Sequence, residues 1–338
     1  MGAMKAAFAD RYGPPDIVQV REIERPTPTG DQVLVRVRAA SVNRADLDGL
    51  EPRPGFIRPI IGMRAPRNTR MGVDAAGVVE SAGPEVKRFK PGDAVFADLF
   101  GTDQGAFSEY VAVSETKLQS MPPGMSFEEA ATLPHSAVLA LQGLRHRNGR
   151  TFKAGDKVLI DGASGNVGPF AVQIAKAMGA EVTGVGSTDK LDMVRALGVD
   201  HVLDYRKVDY TREQERYDWI VDPDAHHPIL KVRRVLKPGG VYVSLGGTTW
   251  PIIRNLFAGP LLSIGNDRWA GLMTWWKPFN PPDVDRLKEL IAAGLLKPVI
   301  DRRYLLSEVV DALRRVDDGH ARGKVVITMD GPAEAPRT

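Results

Sequence analysis

The stretch Lys157-Val-Leu-Ile-Asp161, then Gly162-Ala-Ser-Gly-Asn-Val-Gly168, then a helical run to Met178 constrains this chain more than any other. A short apolar strand passes through a three-glycine loop directly into a helix. Glycine serves three needs there: the chain turns sharply out of the strand, its backbone approaches a pyrophosphate, and the helix packs close to the sheet. The helix N-terminus then offers free N–H groups and a partial positive charge to an anion. Pro169 is compatible, because a first-turn N–H has no helical partner. Gly162, Ser164, Gly165, Asn166, Val167 and Gly168 are the candidate phosphate ligands. The alternative is an ordinary strand–loop–helix turn; the context, more than the glycines alone, favours the phosphate site.

Around this loop the chain alternates strand and helix. Strands are expected at 181–185, 201–203, 218–221 and 241–245, and helices at 190–197 and 229–236, the latter ending at Lys237-Pro-Gly-Gly240. Short buried strands alternating with helices predict a parallel, doubly wound sheet. The first third differs. Short strands at 5–8, 18–23, 32–40, 77–81, 94–97 and 107–113, with turns such as Lys90-Pro-Gly-Asp93, predict a barrel-like β domain. Ser126 and Glu129 have capping-box spacing, which starts a helix. Two final helices and a strand at 324–329 read as returning to the first domain. The expected division is 4–126 with 266–330 for the β-rich domain and 127–265 for the doubly wound domain, with 331–338 as a tail. At 338 residues the chain is long enough for both.

The end of the second strand of the doubly wound sheet selects the cofactor. An NAD site places Asp or Glu there to bond the ribose hydroxyls. Here Gly186 and Ser187 hold the strand end, and Lys190 follows. A 2′-phosphate would meet a hydroxyl and a cation rather than a carboxylate, so NADPH (NADP+) is the expected cofactor. Asp189 adds opposing charge nearby, and a solvated helix-start residue is the alternative for Lys190.

There are no cysteines, which excludes disulfides, thiolate nucleophiles and Cys-ligated zinc. Net charge is +3 with the basic residues spread along the chain, so no nucleic-acid partner is expected. One stretch, with Arg53, Arg58, Arg64, Arg67 and Arg70, lacks acids; it is a solvated loop or a surface for an anion. The start carries no apolar leader pattern and no segment matches a membrane span, so a cytoplasmic enzyme is expected.

Several motifs carry a family resemblance. Gly72-Val-Asp-Ala-Ala-Gly-Val-Val-Glu80, Phe89-Lys-Pro-Gly-Asp-Ala-Val-Phe96, Gly105-Ala-Phe-Ser-Glu-Tyr-Val111, the glycine loop, Leu236-Lys-Pro-Gly-Gly240 and Gly319-His-Ala-Arg-Gly-Lys-Val-Val-Ile327 occur in order. Together they resemble the medium-chain dehydrogenase/reductase superfamily, in its zinc-independent, zeta-crystallin-like quinone oxidoreductase branch. The resemblance implies an α/β fold: a GroES-like β-rich catalytic domain plus a Rossmann sheet, with the active site in the cleft and a homodimer. Zinc-bearing alcohol dehydrogenases of the superfamily place a Cys where Asn43 stands and Gly-His-Glu where Gly72-Val73-Asp74 stands. No histidine lies in the first 134 residues, so no metal is expected.

The resemblance also implies site residues. Asn43 and Asp46 match the Asn-x-x-Asp of zinc-free relatives, where they position substrate; an Asx-stabilised turn is the alternative. Leu245, Gly246 and Gly247 flank the nicotinamide, and Tyr205 lies near the adenosine phosphate or packs structurally. Leu139 stands where relatives often carry Thr, Asn166 where glycine is common, and Asp222-Pro-Asp-Ala-His-His227 where a small Gly-containing loop is usual. His135 relays a proton or is structural. Trp250, Trp269, Trp275 and Trp276 form a substrate wall, a dimer interface or plain packing. The implied reaction is NADPH-dependent hydride transfer to a quinone or α,β-unsaturated carbonyl. A tailoring reductase for a bulky polycyclic metabolite and a non-catalytic NADPH-binding sensor are the alternatives.

Overall fold

A computed structural model describes residues 2–52, 55, 58–101, 105–212, 217–265 and 267–329. Arg53 of the basic stretch and the tail 331–338 lie outside the described residues. In chain order the elements begin with β1 (Ala3–Phe8), β2 (Gln19–Glu24), β3 (Gln32–Val42), α1 (Arg44–Leu50), α2 (Arg58–Ile61) and β4 (Asp74–Ala82). β5 (Ala94–Asp98), β6 (Tyr110–Ser114), β7 (Leu118–Ser120), α3 (Phe127–Ala131) and α4 (Ser136–Gly143) follow. Then come β8 (Lys157–Ile160), α5 (Gly168–Ala177), β9 (Glu181–Gly186), α6 (Leu191–Ala196), β10 (His201–Asp204), β11 (Tyr217–Asp222) and α7 (Ile229–Arg234). The chain continues through β12 (Leu236–Ser244), α8 (Thr249–Ser263), β13 (Trp269–Leu272), α9 (Pro281–Ala292), β14 (Ile300–Leu305), α10 (Val309–Asp317) and β15 (Lys324–Thr328).

Two sheets organise these elements. One is six-stranded and wholly parallel, in the order β10-β9-β8-β11-β12-β13. Val158, Leu159 and Ile160 of its central strand β8 are fully buried, as expected for a strand covered on both faces. The other sheet runs β14-β15-β3-β4-β5-β7, with β6 also on β3. β15 pairs antiparallel with β3, setting Val325 opposite Val42, and so joins the sheet of the β-rich domain. The long strand β3 carries register breaks at Leu34/Val35 and Val37/Ala39, which bend it across the domain. The Ser126–Glu129 capping box forms: Glu129 N donates to Ser126 Oγ at 3.2 Å, and Ser126 N to the Glu129 carboxylate at 2.9 Å.

Two elements depart from expectation, and a third, helix α8, has no counterpart in it. Lys237-Pro-Gly-Gly240 is not a helix terminus but lies inside β12, whose pairing with β11 shifts register between Tyr217 and Trp219. The apolar stretch after Thr249 forms helix α8 with Pro260 inside it. The expected boundary between 265 and 266 assigns β13 to the β-rich domain, yet β13 pairs with β12 and forms the edge of the parallel sheet. Backbone pairing, which a four-residue strand does not announce in its sequence, decides this. Among the described residues no helix is long and apolar enough to cross a membrane.

Candidate active site

The order of the parallel sheet reverses between β8 and β11, and this switch point opens the crevice where such sheets bind nucleotides. Gly162 leaves β8 with φ +65°, a turn that a side chain resists. α5 begins at Gly168, where a Cβ would stand 2.2 Å from Gly162 O. At Gly165 a Cβ would meet only Gly162 O, at 3.4 Å, so the outer side of the loop is open for a ligand. On the opposite wall, Leu245 N donates to Asp222 O, and a Cβ on Gly247 would lie 2.6 Å from Asp224 O. The glycines thus let the loops after β11 and β12 close against each other. This cradle fits a dinucleotide.

The adenosine end is more occupied than the sequence suggests. Lys190 is mostly buried, and its ammonium donates to Gly319 O at 2.6 Å and Ala321 O at 2.8 Å. Desolvation lowers its pKa. The Ser187 hydroxyl bonds the Asp189 carboxyl and holds it below its ordinary value. Arg206, absent from the sequence expectations, pairs with Asp189 at 3.4 Å beside the exposed ring of Tyr205.

At the other end of the crevice a buried polar network joins the two domains. Asn43 caps α1, and its backbone N–H donates to Asp46 at 2.8 Å. Its side chain turns the other way. Asn43 Nδ2 donates to Asp74 Oδ2 at 2.8 Å and Ser41 O at 3.3 Å. Asn43 Oδ1 accepts from Ser136 Oγ at 3.0 Å and Lys324 Nζ at 2.6 Å. Both amide protons and both lone pairs are therefore used. A substrate contact through this amide requires one of those bonds to be given up. Burial pushes the Asp46 carboxyl up to about 7. Asn166 also spans the crevice, from the glycine loop to Val42 O at 3.5 Å.

His135 directly precedes α4. Its backbone N–H donates to Asp74 Oδ1 at 3.1 Å, and its Nδ1 lies 3.2 Å from Asp98 Oδ2. Asp98 also accepts from Phe100 N at 2.9 Å, which fixes the carboxylate. Burial pushes the imidazole down, but the charge and hydrogen bond of Asp98, with Asp74 behind it, carry its pKa above the ordinary value. The ring packs with Phe100 at 5.5 Å and Trp276 at 5.1 Å, and those two rings meet each other edge-to-face at 5.0 Å. Of the four tryptophans singled out, only Trp276 meets His135. Trp269 and Trp275 pack on His146 instead, and Trp250 is 77% exposed. The sequence reading missed Asp98, Ser136 and Lys324. A lysine heading the apolar strand Val325-Val-Ile327 was the available signal.

Among the described residues no group of three or more His, Cys, Asp or Glu side chains is arranged to hold a metal. Residues 29–123 match the family "Alcohol dehydrogenase GroES-like domain", and residues 197–327 match "Zinc-binding dehydrogenase". Mouse mitochondrial NAD(P)H oxidoreductase RTN4IP1 is 33% identical over 96% of this chain and 89% of its own length. The chloroplastic NADPH-dependent alkenal/one oxidoreductase of Arabidopsis thaliana is 33% identical over 96% of this chain and 79% of its own. The structure of a quinone oxidoreductase from Coxiella burnetii superposes with a TM-score of 0.85 at 29% identity, covering 97% of this chain and 99% of the other. The chain belongs to the medium-chain dehydrogenase/reductase superfamily, in its quinone oxidoreductase-like branch. Its two domains are the GroES-like and Rossmann domains of that family.

Proposed function

We propose that this protein reduces a quinone or an α,β-unsaturated carbonyl at the expense of NADPH, with His135 as the proton donor. The observation that carries the reading is the His135–Asp98 pair, packed in one aromatic cluster with Phe100 and Trp276. Bound NADPH supplies a hydride to the electrophilic carbon. The glycine loop and the first turn of α5 would hold the pyrophosphate, and Leu245, Gly246 and Gly247 would border the nicotinamide. Asp98 bonds the Nδ1 side of His135 and leaves Nε2 for the substrate. Its proton goes to the oxygen or carbon that gains electron density, and solvent reprotonates the ring. Hydride plus proton completes a two-electron reduction. The edge-to-face pair of Phe100 and Trp276 would offer one aromatic wall to a flat conjugated substrate. Asn43 and Asp46 hold the floor of this site rather than grip the substrate.

NADPH is favoured over NADH because no acid stands at the end of β9. The Lys190 ammonium has a third donor beyond the two carbonyls it serves, and Ser187, Tyr205 and Arg206 stand around the same place.

The test is steady-state NADPH oxidation with a panel of quinones and conjugated enones, against saturated primary alcohols with NADP+. Turnover is expected with the first panel and not the second. With a C4-deuterated cofactor the label should appear on the β-carbon of an enone. His135→Gln should lower turnover at least tenfold with little change in NADPH affinity. Alcohol oxidation without reduction of any electrophile overturns the reading. Tight NADPH binding with no turnover of either panel points instead to a sensor or a dedicated bulky substrate.

A further inference from the structure

Lys324 is the first residue of β15, and its side chain is fully buried. Its Nζ lies 2.6 Å from Asn43 Oδ1, 3.0 Å from Ser136 Oγ and 3.4 Å from Val42 O. Asp74 Oδ2 is 3.7 Å away. These neighbours identify the form of the group. Ser136 Oγ gives its own proton to Asn43, so it accepts from the lysine, as do the amide and carbonyl oxygens. Three acceptors match the three protons of an ammonium, and among the described residues no donor faces a neutral amine's lone pair. Burial pulls the amine pKa down, while Asp74 and Asp46 push it back up. Asp74 is the matching anion: Ser41, Asn43 and the His135 backbone direct donors at it, and the Lys324 ammonium stands beside it as an ion pair.

We propose that Lys324 is the positioning residue of the reduction site, a fixed charge that locks Asn43 and Ser136 and sets the electrostatics felt by His135. This role rests on the reductase reading for its effect on turnover, but not for its effect on His135. The geometry joins four elements at one point: the end of β3, the start of β4, the start of α4 and the start of β15. The charged groups facing His135 are Asp98 from β5, Asp74 from β4, Asp46 from α1 and Lys324 from β15. Removing the lysine charge leaves the carboxylates uncompensated, which favours the protonated imidazole. It also frees the Asn43 amide and the Ser136 hydroxyl to rotate.

The experiment is a charge cycle of Lys324→Met, Asp74→Asn and the double variant. Histidine titration is followed by NMR, with the His135 resonance assigned from His135→Gln. Loss of Lys324 should move the His135 midpoint alkaline by about half a pH unit or more. The step from Asp74→Asn to the double variant should show the same direction, and it decides the matter if Lys324→Met alone does not fold. With a quinone, Lys324→Met should lower kcat about tenfold and leave KM for NADPH within about twofold. The double variant should recover thermal stability without recovering kcat. An unmoved His135 titration overturns the proposal, as does a double variant with wild-type kcat, because a purely structural ion pair behaves that way. If the wild-type protein reduces nothing in the panel, the reductase reading fails while the titration still decides the role of Lys324.

Discussion

Lys190 shows how one side chain can serve both architecture and recognition. Its bonds to Gly319 O and Ala321 O tie the start of α6 to the turn before β15, across the domain boundary. An ammonium has three donors, so one remains for a 2′-phosphate. A charge-assisted hydrogen bond is worth roughly 1.5–3 kcal/mol. Lys190→Ala should therefore weaken NADPH binding about tenfold or more and change NADH binding little, measured by fluorescence titration of both cofactors. Equal loss for the two would mean that Lys190 acts through the 319–321 turn and not on the phosphate. Asn43 makes the complementary point, since its fully used amide is a strut between domains before it is anything to a substrate.

At the scale of elements, the ends of β8 and β11 bring two carboxyl groups together under the crevice. Asp222 accepts from Tyr242 Oη at 3.0 Å, Asp224 N at 3.0 Å and Ala225 N at 2.7 Å, so donors surround it. Asp161 faces it, and burial together with the Asp222 charge pushes the Asp161 carboxyl up to about 8 from its ordinary 3.8. The native state then binds a proton that the unfolded chain has released. Stability falls as pH rises from about 4 through about 8, because the unfolded state binds fewer protons over that window. Asp161→Asn keeps the shape and removes the ionisation. It should raise stability above pH 8 by on the order of 1–3 kcal/mol and leave it nearly unchanged at pH 4. Denaturant unfolding at the two pH values checks this. A loss of stability at the higher pH would mean that the Asp161 carboxylate is ionised and well solvated in the native state.

On the scale of the whole molecule, the edge of the parallel sheet carries an open apolar face. Beside edge strand β13, helix α8 exposes Trp250, Phe257 and Leu261, with Ile264 just past its end. An open strand edge beside such a patch is a natural association surface. We expect a homodimer in solution, seen by light scattering as twice the mass of one chain. Leu261→Asp should shift it toward monomer with the secondary structure unchanged. A wild-type protein that is monomeric at micromolar concentration would contradict this use of the α8 face.

What the sequence determined by itself was local. The Gly162–Gly168 loop, the alternation from 157 to 245 and the absence of cysteine each declare themselves within a few residues, because periodicity, turn stereochemistry and ligand chemistry are short-range properties. They were enough for the doubly wound sheet, while the short strands of the first third and the ordered motifs from Gly72 to Ile327 pointed to the β-rich domain and the family. Tertiary structure decided what depends on distant residues meeting. Lys324 and Asn43 lie 281 positions apart, and His135 and Asp98 lie 37 apart. No local pattern announces either pair, since a buried charge is tolerated only where its partners happen to converge. The same holds for β13, whose four residues join the parallel sheet through the backbone of β12, and for the four tryptophans, which only packing could divide between His135, His146 and solvent.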